Sequence, residues 1–214
     1  MNEDGRMRVI HEDAAFVVAV KASGLLSIPG KGPEKADCVA NRVRALYPGC
    51  INHPCVHRLD MDTSGLMVVA RTTDAHRHLS LQFQDRQTTK RYVALLEGHL
   101  AGDRGTIELP FRVDIDNRPH QIYDEAHGKL GITHWENLGH EGNHTRVAFI
   151  PETGRTHQLR VHSAHERGLG IPIVGDPLYG NGTGPAQMKL HASELGFAHP
   201  ATGESMSFKS APDF

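Results

Sequence analysis

The sequence holds no stretch suited to entering or crossing a membrane. Its longest apolar run, Ala14–Val20, has seven residues, whereas a spanning helix takes about twenty. The opening Met1-Asn2-Glu3-Asp4 is acidic and lacks the apolar segment of a secretory signal. Cysteine is scarce. Cys38, Cys50 and Cys55 are odd in number and have no metal-type spacing, which disfavours a disulfide framework or a zinc finger and fits cytosolic thiols. A cytoplasmic location without a membrane partner is therefore expected. Repeats and low-complexity segments are absent, as are Cys-x-x-Cys and His-Glu-x-x-His. His53 and His57 are four apart but separated by Pro54, and His157 and His162 are five apart, a poor match to one helix face. Gly180-Asn-Gly-Thr-Gly184 resembles a phosphate loop only superficially, since no strand leads into it and no helix follows. No metal and no cofactor is expected. A basic surplus is also missing, the net charge being −2 with histidines neutral. That speaks mildly against a nucleic-acid binder, although 16 histidines add positive charge when partly protonated and balanced totals can hide a basic face.

What is present describes a globular chain. Its 214 residues, 38% hydrophobic and 22% charged, suit one domain with a sizeable core. Phe16–Lys21 is a β-branched run ending at Ser23-Gly24, which predicts a strand and a turn. Asp37–Tyr47 places Val39, Val43 and Leu46 on one helical face and stops at Pro48-Gly49. Gly65–Ala70 reads as a buried strand. Thr73 or Asp74 is the expected cap of a helix running to about Asp85, with Leu79 and Phe83 facing inward. Thr89–Glu97 and Thr106–Leu109 read as strands. Trp135–Leu138 and Thr145–Phe149 read as a hairpin pair around Gly139–Asn143. After Arg155, the positions of Leu159 and Val161 fit either a strand or the start of a helix. Strands outnumber helices and follow one another through short loops. The expected class is α+β, with a mixed, mainly antiparallel sheet flanked by a few helices.

Three segments concentrate chemistry. The first is His57-Arg58-Leu59-Asp60-Met61-Asp62-Thr63-Ser64-Gly65, a polar loop ahead of an apolar strand, a common place for catalytic groups. Asp60 suits a nucleophile or a general base. Arg58 suits keeping it ionised, meeting a phosphate, or both. On composition alone, a solvated turn whose Asp caps a backbone amide is the better reading. The second is Gly154-Arg155-Thr156-His157-Gln158-Leu159-Arg160-Val161-His162. Its donor density suits phosphate and base contacts, and a solvated strand edge fits about equally. The third is Lys90-Arg91-Tyr92-Val93-Ala94, where a strand Tyr is ordinarily a packing residue with its hydroxyl at the rim.

In this order the three segments resemble the RluA family of RNA pseudouridine synthases, most closely its short, single-domain subgroup. Further matches are Ser23-Gly24-Leu25-Leu26-Ser27-Ile28-Pro29-Gly30, Asn117-Arg118-Pro119, Gly175-Asp176-Pro177-Leu178-Tyr179-Gly180 and the ending Phe208–Phe214. The resemblance runs from about Val9 to Phe214. It implies a pseudouridine synthase fold with a central RNA-binding cleft and one catalytic domain over residues 1–214. The first eight residues are expected to be flexible, with no separate N-terminal RNA-binding domain. One departure stands at Val20-Lys21-Ala22-Ser23-Gly24, where the family usually has Asn-Lys-Pro before the glycine. Lys21 is kept, while the Asn and Pro are not.

The resemblance also implies a mechanism. Asp60 would attack C1′ or remove the 2′ proton to give a glycal. Arg155 would pair with Asp60, and Tyr92 would stack on the base and help remove the C5 proton. Leu159 would pack beneath the base. Arg58 would fill the space left by the flipped uridine or hold its phosphate. His57, Thr63, Gln158 and Arg160 join these as expected substrate contacts. The expected partner is RNA, namely a tRNA anticodon stem-loop, large-subunit (23S) rRNA, or both, with no required protein partner. Asp62 occupies a variable motif position and is given no catalytic role. Two other readings stand against this one: a nuclease or phosphoesterase built on His157 and His162, and an RNA-binding module without chemistry.

Overall fold

The structure, a computed structural model, describes residues 5–214. In chain order its elements are β1 (Met7–Glu12), β2 (Phe16–Lys21), α1 (Val39–Leu46), β3 (Ser64–Ala70), α2 (Thr73–Gln84), β4 (Thr89–Leu96), β5 (Arg104–Val113), β6 (Gln121–Tyr123), β7 (Lys129–Glu141), β8 (His144–Pro151), α3 (Gln158–Ala164), β9 (Leu190–Ala198) and β10 (Ser205–Lys209). They fall into two compact units, one running up to Lys90 and including His191–Asp213, the other comprising Arg91–Leu190 with Phe214.

In the first unit, β1, β2 and β3 pair antiparallel in succession. β3 then meets β9 in parallel at Ser64 and Gly65, and β10 closes antiparallel on β9. The apolar runs of β2 and β3 are buried on both faces, as expected of interior strands. On one face Phe16, Val18, Leu66 and Val68 form a core with Ala75 and Leu79 of α2 and Leu195 and Phe197 of β9. The helix expected near Asp85 begins one residue earlier than its expected caps. Thr72 is the N-cap, its hydroxyl accepting the Ala75 N–H at 3.2 Å, and Asp74 lies in the first turn. Val39 and Val43 of α1 are buried as expected, but Leu46 at its last turn is exposed. Within the stretch expected to be flexible, Met7 and Arg8 belong to β1, opposite Lys21 and Val20. Residues 1–4 of that expectation lie outside the described residues.

The second unit is an antiparallel sheet in the order β4, β8, β7, β5, β6. Ile107, Leu109 and Phe111 alternate inward along β5 and pack with Val161 of α3. β7 is far longer than the four residues expected. The β7–β8 turn falls at Gly142-Asn143, after a bulge between Asn137 and Gly139. The segment after Arg155 is helical. Across all described residues the fold is α+β with a mainly antiparallel sheet, and no helix there is long and apolar enough to cross a membrane.

His162 is the least ordinary core residue of this unit. It is fully buried on α3, edge-on to Phe111 at 5.7 Å, and neither ring nitrogen has a hydrogen-bond partner. Gly131 makes room for it, since a Cβ there would lie 2.8 Å from Nε2. Burial lowers its pKa to about 4. The unfolded chain takes up a proton near the usual 6.5, which the folded chain refuses until about pH 4, so stability falls as pH drops through that window. The full effect is about 3 kcal/mol. Urea unfolding at pH 7 and pH 5 checks this: His162→Met should lose less stability than wild type on acidification, and equal losses would refute it.

Candidate active site

The Asp60 loop is shaped by its backbone. The Thr63 N–H donates to the Asp60 carbonyl at 3.1 Å, closing a turn. The stretch after β2 forms a cradle beneath it. Ser27 Oγ accepts the Leu59 N–H at 3.0 Å and donates to the Leu59 carbonyl at 2.6 Å. The Gly24 N–H and Lys21 Nζ both donate to the Met61 carbonyl at 2.8 Å. Ser23 Oγ donates to the Asp62 carbonyl at 2.6 Å. Lys21 is fully buried, and its ammonium also reaches the carbonyls of Leu25 and Ala22 at 2.8 and 3.0 Å. Burial pulls its pKa down to about 7, against the attraction of Asp62 and Asp60. Three donors on one cation meet three carbonyls, a match that suits lysine. Residue-by-residue reading gave Lys21, Ser23 and Ser27 no role, although the Ser23–Gly30 motif marked the segment. The departure from Asn-Lys-Pro has a local reason: the Ala22 N–H donates to the Arg6 carbonyl at 2.9 Å, a bond that proline cannot make.

The loop leads directly into a fixed strand. Gly65 has φ +113, and a Cβ there would meet the Ala192 backbone at 2.4 Å, so only glycine permits β9 to approach. Beside it Ser64 Oγ bonds His191 Nδ1 at 2.8 Å, and His191 Nε2 bonds Ser210 Oγ at 3.1 Å. Asp60 is half-buried, while Arg58 is exposed and makes no hydrogen bond or ion pair among the described residues. Both positions suit groups that meet a substrate.

Of the expected substrate contacts, His57, Gln158 and Arg160 make hydrogen bonds within the fold, and Thr63 is buried. His57 Nε2 accepts the Val68 N–H at 3.1 Å, and the ring stacks on Phe83 at 4.5 Å. Desolvation, then the charge of Lys90, lowers its pKa to about 3, so it is a neutral acceptor. Thr63 is buried at the loop's end. Gln158 uses its whole amide: Oε1 accepts Thr153 Oγ1–H at 2.7 Å and the Arg155 N–H at 3.0 Å, while Nε2 donates to the Ile132 carbonyl and Thr133 Oγ1. Arg160, 3% exposed, forms two bonds to Asp176, at 2.8 and 2.6 Å. Burial alone would raise the Asp176 pKa, but Arg160 and the N–H groups of Leu178 and Tyr179 hold it below the usual carboxylate range. Within this segment Gln158 and Arg160 thus make their hydrogen bonds in the interior, while Arg155 is exposed.

The remaining expected residues of the second unit are placed differently. Tyr92 on β4 stands opposite Phe149 and packs against the core cluster that contains Leu159. Arg155 is exposed on the turn before α3, its backbone fixed by Gln158. The nuclease reading loses one of its two histidines, because His162 is fully buried against Phe111, out of reach of a substrate. Among the described residues, no group of three or more His, Cys, Asp or Glu side chains could hold a metal ion. Burial raises the pKa of all three thiols, that of Cys55 to about 12, which leaves no activated cysteine nucleophile.

Comparison with known proteins gives the family. A family profile described as RNA pseudouridylate synthase matches residues 15–165. The dual-specificity RNA pseudouridine synthase RluA of Pasteurella multocida is 43% identical, covering 99% of this chain and 95% of its own. The enzyme of the same description from Escherichia coli K12 is 42% identical, with 96% and 93% covered. The solved structure of human RNA pseudouridylate synthase domain containing 1 superposes with a TM-score of 0.78 at 30% identity, over 97% of this chain and 84% of that one. The match to these relatives runs over nearly the full length, and the chain belongs to the RNA pseudouridylate synthase family.

Proposed function

We propose that this chain converts specific uridines to pseudouridine in a tRNA anticodon stem-loop, in large-subunit rRNA, or in both, with Asp60 as the catalytic carboxylate. The observation that carries the reading is the Asp60 loop. Its backbone is held at Leu59, Met61 and Asp62 by Ser27, Lys21, Gly24 and Ser23, and such a framework fixes a carboxylate for attack far better than a mobile turn does. The reaction breaks the bond between uracil N1 and C1′ and makes one between C5 and C1′. C5 loses a proton and N1 gains one. No electron, hydride or external group is consumed, so a positioned carboxylate and a proton acceptor suffice. Asp60 attacks C1′ or removes the 2′ proton. Arg155 is its charge partner, Tyr92 stacks on the base and assists loss of the C5 proton, and Leu159 packs beneath. Because a stacked uridine cannot reach a carboxylate, it is flipped out at a cost of a few kcal/mol, and Arg58 holds its phosphate or fills the gap. Both units serve one catalytic domain, acting in the cytoplasm without a protein partner.

The test is direct. The purified chain is incubated with an anticodon stem-loop transcript and a large-subunit rRNA fragment, and pseudouridines are mapped at nucleotide resolution. Conversion at discrete uridines of one or both is expected. Intact uridine in both, or cleaved RNA, would overturn the reading.

A further inference from the structure

His157 carries an unusual backbone. It caps α3 with φ 58 and ψ 17, in the left-handed region, and makes no side-chain capping bond. A non-glycine residue adopts this conformation at some cost and keeps it only where its surroundings hold it. The holding group is Tyr179, whose hydroxyl lies 2.9 Å from His157 Nδ1, the two rings meeting edge-on at 5.7 Å. The same oxygen accepts the N–H of Gln121 at 2.8 Å. Gln121 opens β6, immediately after the loop Asp114–His120. Tyr179 is itself fixed. Asp176 Oδ1 accepts the N–H groups of Leu178 and Tyr179 at 2.8 and 3.1 Å, and the Arg160 guanidinium lies 5.2 Å from the ring centroid.

We infer that Tyr179 is a positioning residue for Arg155, acting through His157. The inference rests on the reading of Arg155 given above. Having accepted the Gln121 N–H, the phenol directs its own hydrogen to Nδ1 of His157. One oxygen then ties together the start of β6, the Gly175–Gly180 turn and the first residue before α3. Arg155 stands two positions before His157. Gln158 pins its backbone from one side through the 3.0 Å bond to the Arg155 N–H. The Tyr179–His157 pair pins the other side by holding the left-handed residue that ends the turn. This gives a role to Gly175–Gly180, which the sequence marked only as a match to the family.

Tyr179→Phe removes the oxygen and keeps the ring contacts. With the RNA modified by the wild type, its kcat should fall by about 10- to 100-fold, as a misplaced arginine would cause. KM and RNA affinity should stay within about twofold. His157→Ala should show the same split, and the double variant should be no slower than either single one. His157→Asn is the conservative rescue. Its amide oxygen sits where Nδ1 sat, and asparagine tolerates the left-handed region, so kcat should stay within about threefold of wild type. A Tyr179→Phe enzyme with wild-type kcat, or His157→Asn as slow as His157→Ala, overturns the inference alone. A wild type that forms no pseudouridine overturns the functional reading as well.

Discussion

Asp60→Asn should abolish pseudouridine formation while the fold and RNA binding persist. The substitution is isosteric, and what fixes the loop is main chain: the carbonyls and amides of Leu59, Met61, Asp62 and Thr63 keep their partners whatever stands at position 60. The loss therefore falls on chemistry. An amide neither attacks C1′ nor takes a 2′ proton, and a positioned acid–base group alone contributes about 10²- to 10⁴-fold. When the same carboxylate is also the nucleophile the loss is larger. Tritium release from RNA labelled at uracil C5 measures the reaction, and filter binding measures RNA retention. An Asp60→Asn enzyme that turns over at the wild-type rate removes Asp60 from the centre of the mechanism. Asp62→Asn is the matched comparison, since its carboxylate is buried near the Lys21 ammonium. It should slow the reaction less and destabilise the loop more.

Much of this molecule was legible in its residues, and the failures share a cause. Strands such as β2 and β3 announce themselves because both faces are apolar. β7 does not. Its outer positions carry His134 and Glu136, and its inner ones include Thr133 and Asn137, so the two-residue period is broken by polar groups whose partners, such as Gln158 for Thr133 and the Leu100 and Gly102 carbonyls for Asn137, lie elsewhere in the chain. α3 stayed ambiguous because nearly every residue in it is buried, which erases the contrast that a period needs. The same burial hides the engagement of Gln158, Arg160 and His162. A segment with two arginines, two histidines and a glutamine looks wet in one dimension. In three, Arg160 meets Asp176, Gln158 meets Thr153 and the β7 backbone, and His162 meets Phe111. Partners so far apart in sequence leave no local sign. Asp60 and Arg155 were found through motif order, yet what fixes each of them, Lys21 and Ser27 for one and Gln158 for the other, became visible only through tertiary contacts.

Lys21→Met should be the most damaging substitution outside the reacting groups. The ammonium is the one donor that the Met61, Leu25 and Ala22 carbonyls share at 2.8, 2.8 and 3.0 Å. Methionine fills the space but donates nothing. The Met61 carbonyl keeps the Gly24 N–H, but the Leu25 and Ala22 carbonyls lose the ammonium at about 1–3 kcal/mol each, and Asp62, 6% exposed, loses its neighbouring cation. A total near 3–5 kcal/mol is expected, a large share of the 5–15 kcal/mol that typically holds a domain together. Activity should fall even under conditions where the variant is folded, because the Met61 carbonyl follows Asp60 directly and its release loosens the carboxylate. The pH response separates this from general damage. With the folded pKa lowered to about 7 and the unfolded one near 10.5, the unfolded chain holds a proton across that window that the folded chain has released. Stability contributed by this group therefore rises from about pH 7 towards 10.5. Lys21→Met should lack that rise as well as being less stable at pH 6, where the ammonium is intact. Urea midpoints at pH 6, 7, 8 and 9 for both proteins decide it, and parallel pH profiles would show that burial does not lower the pKa of Lys21.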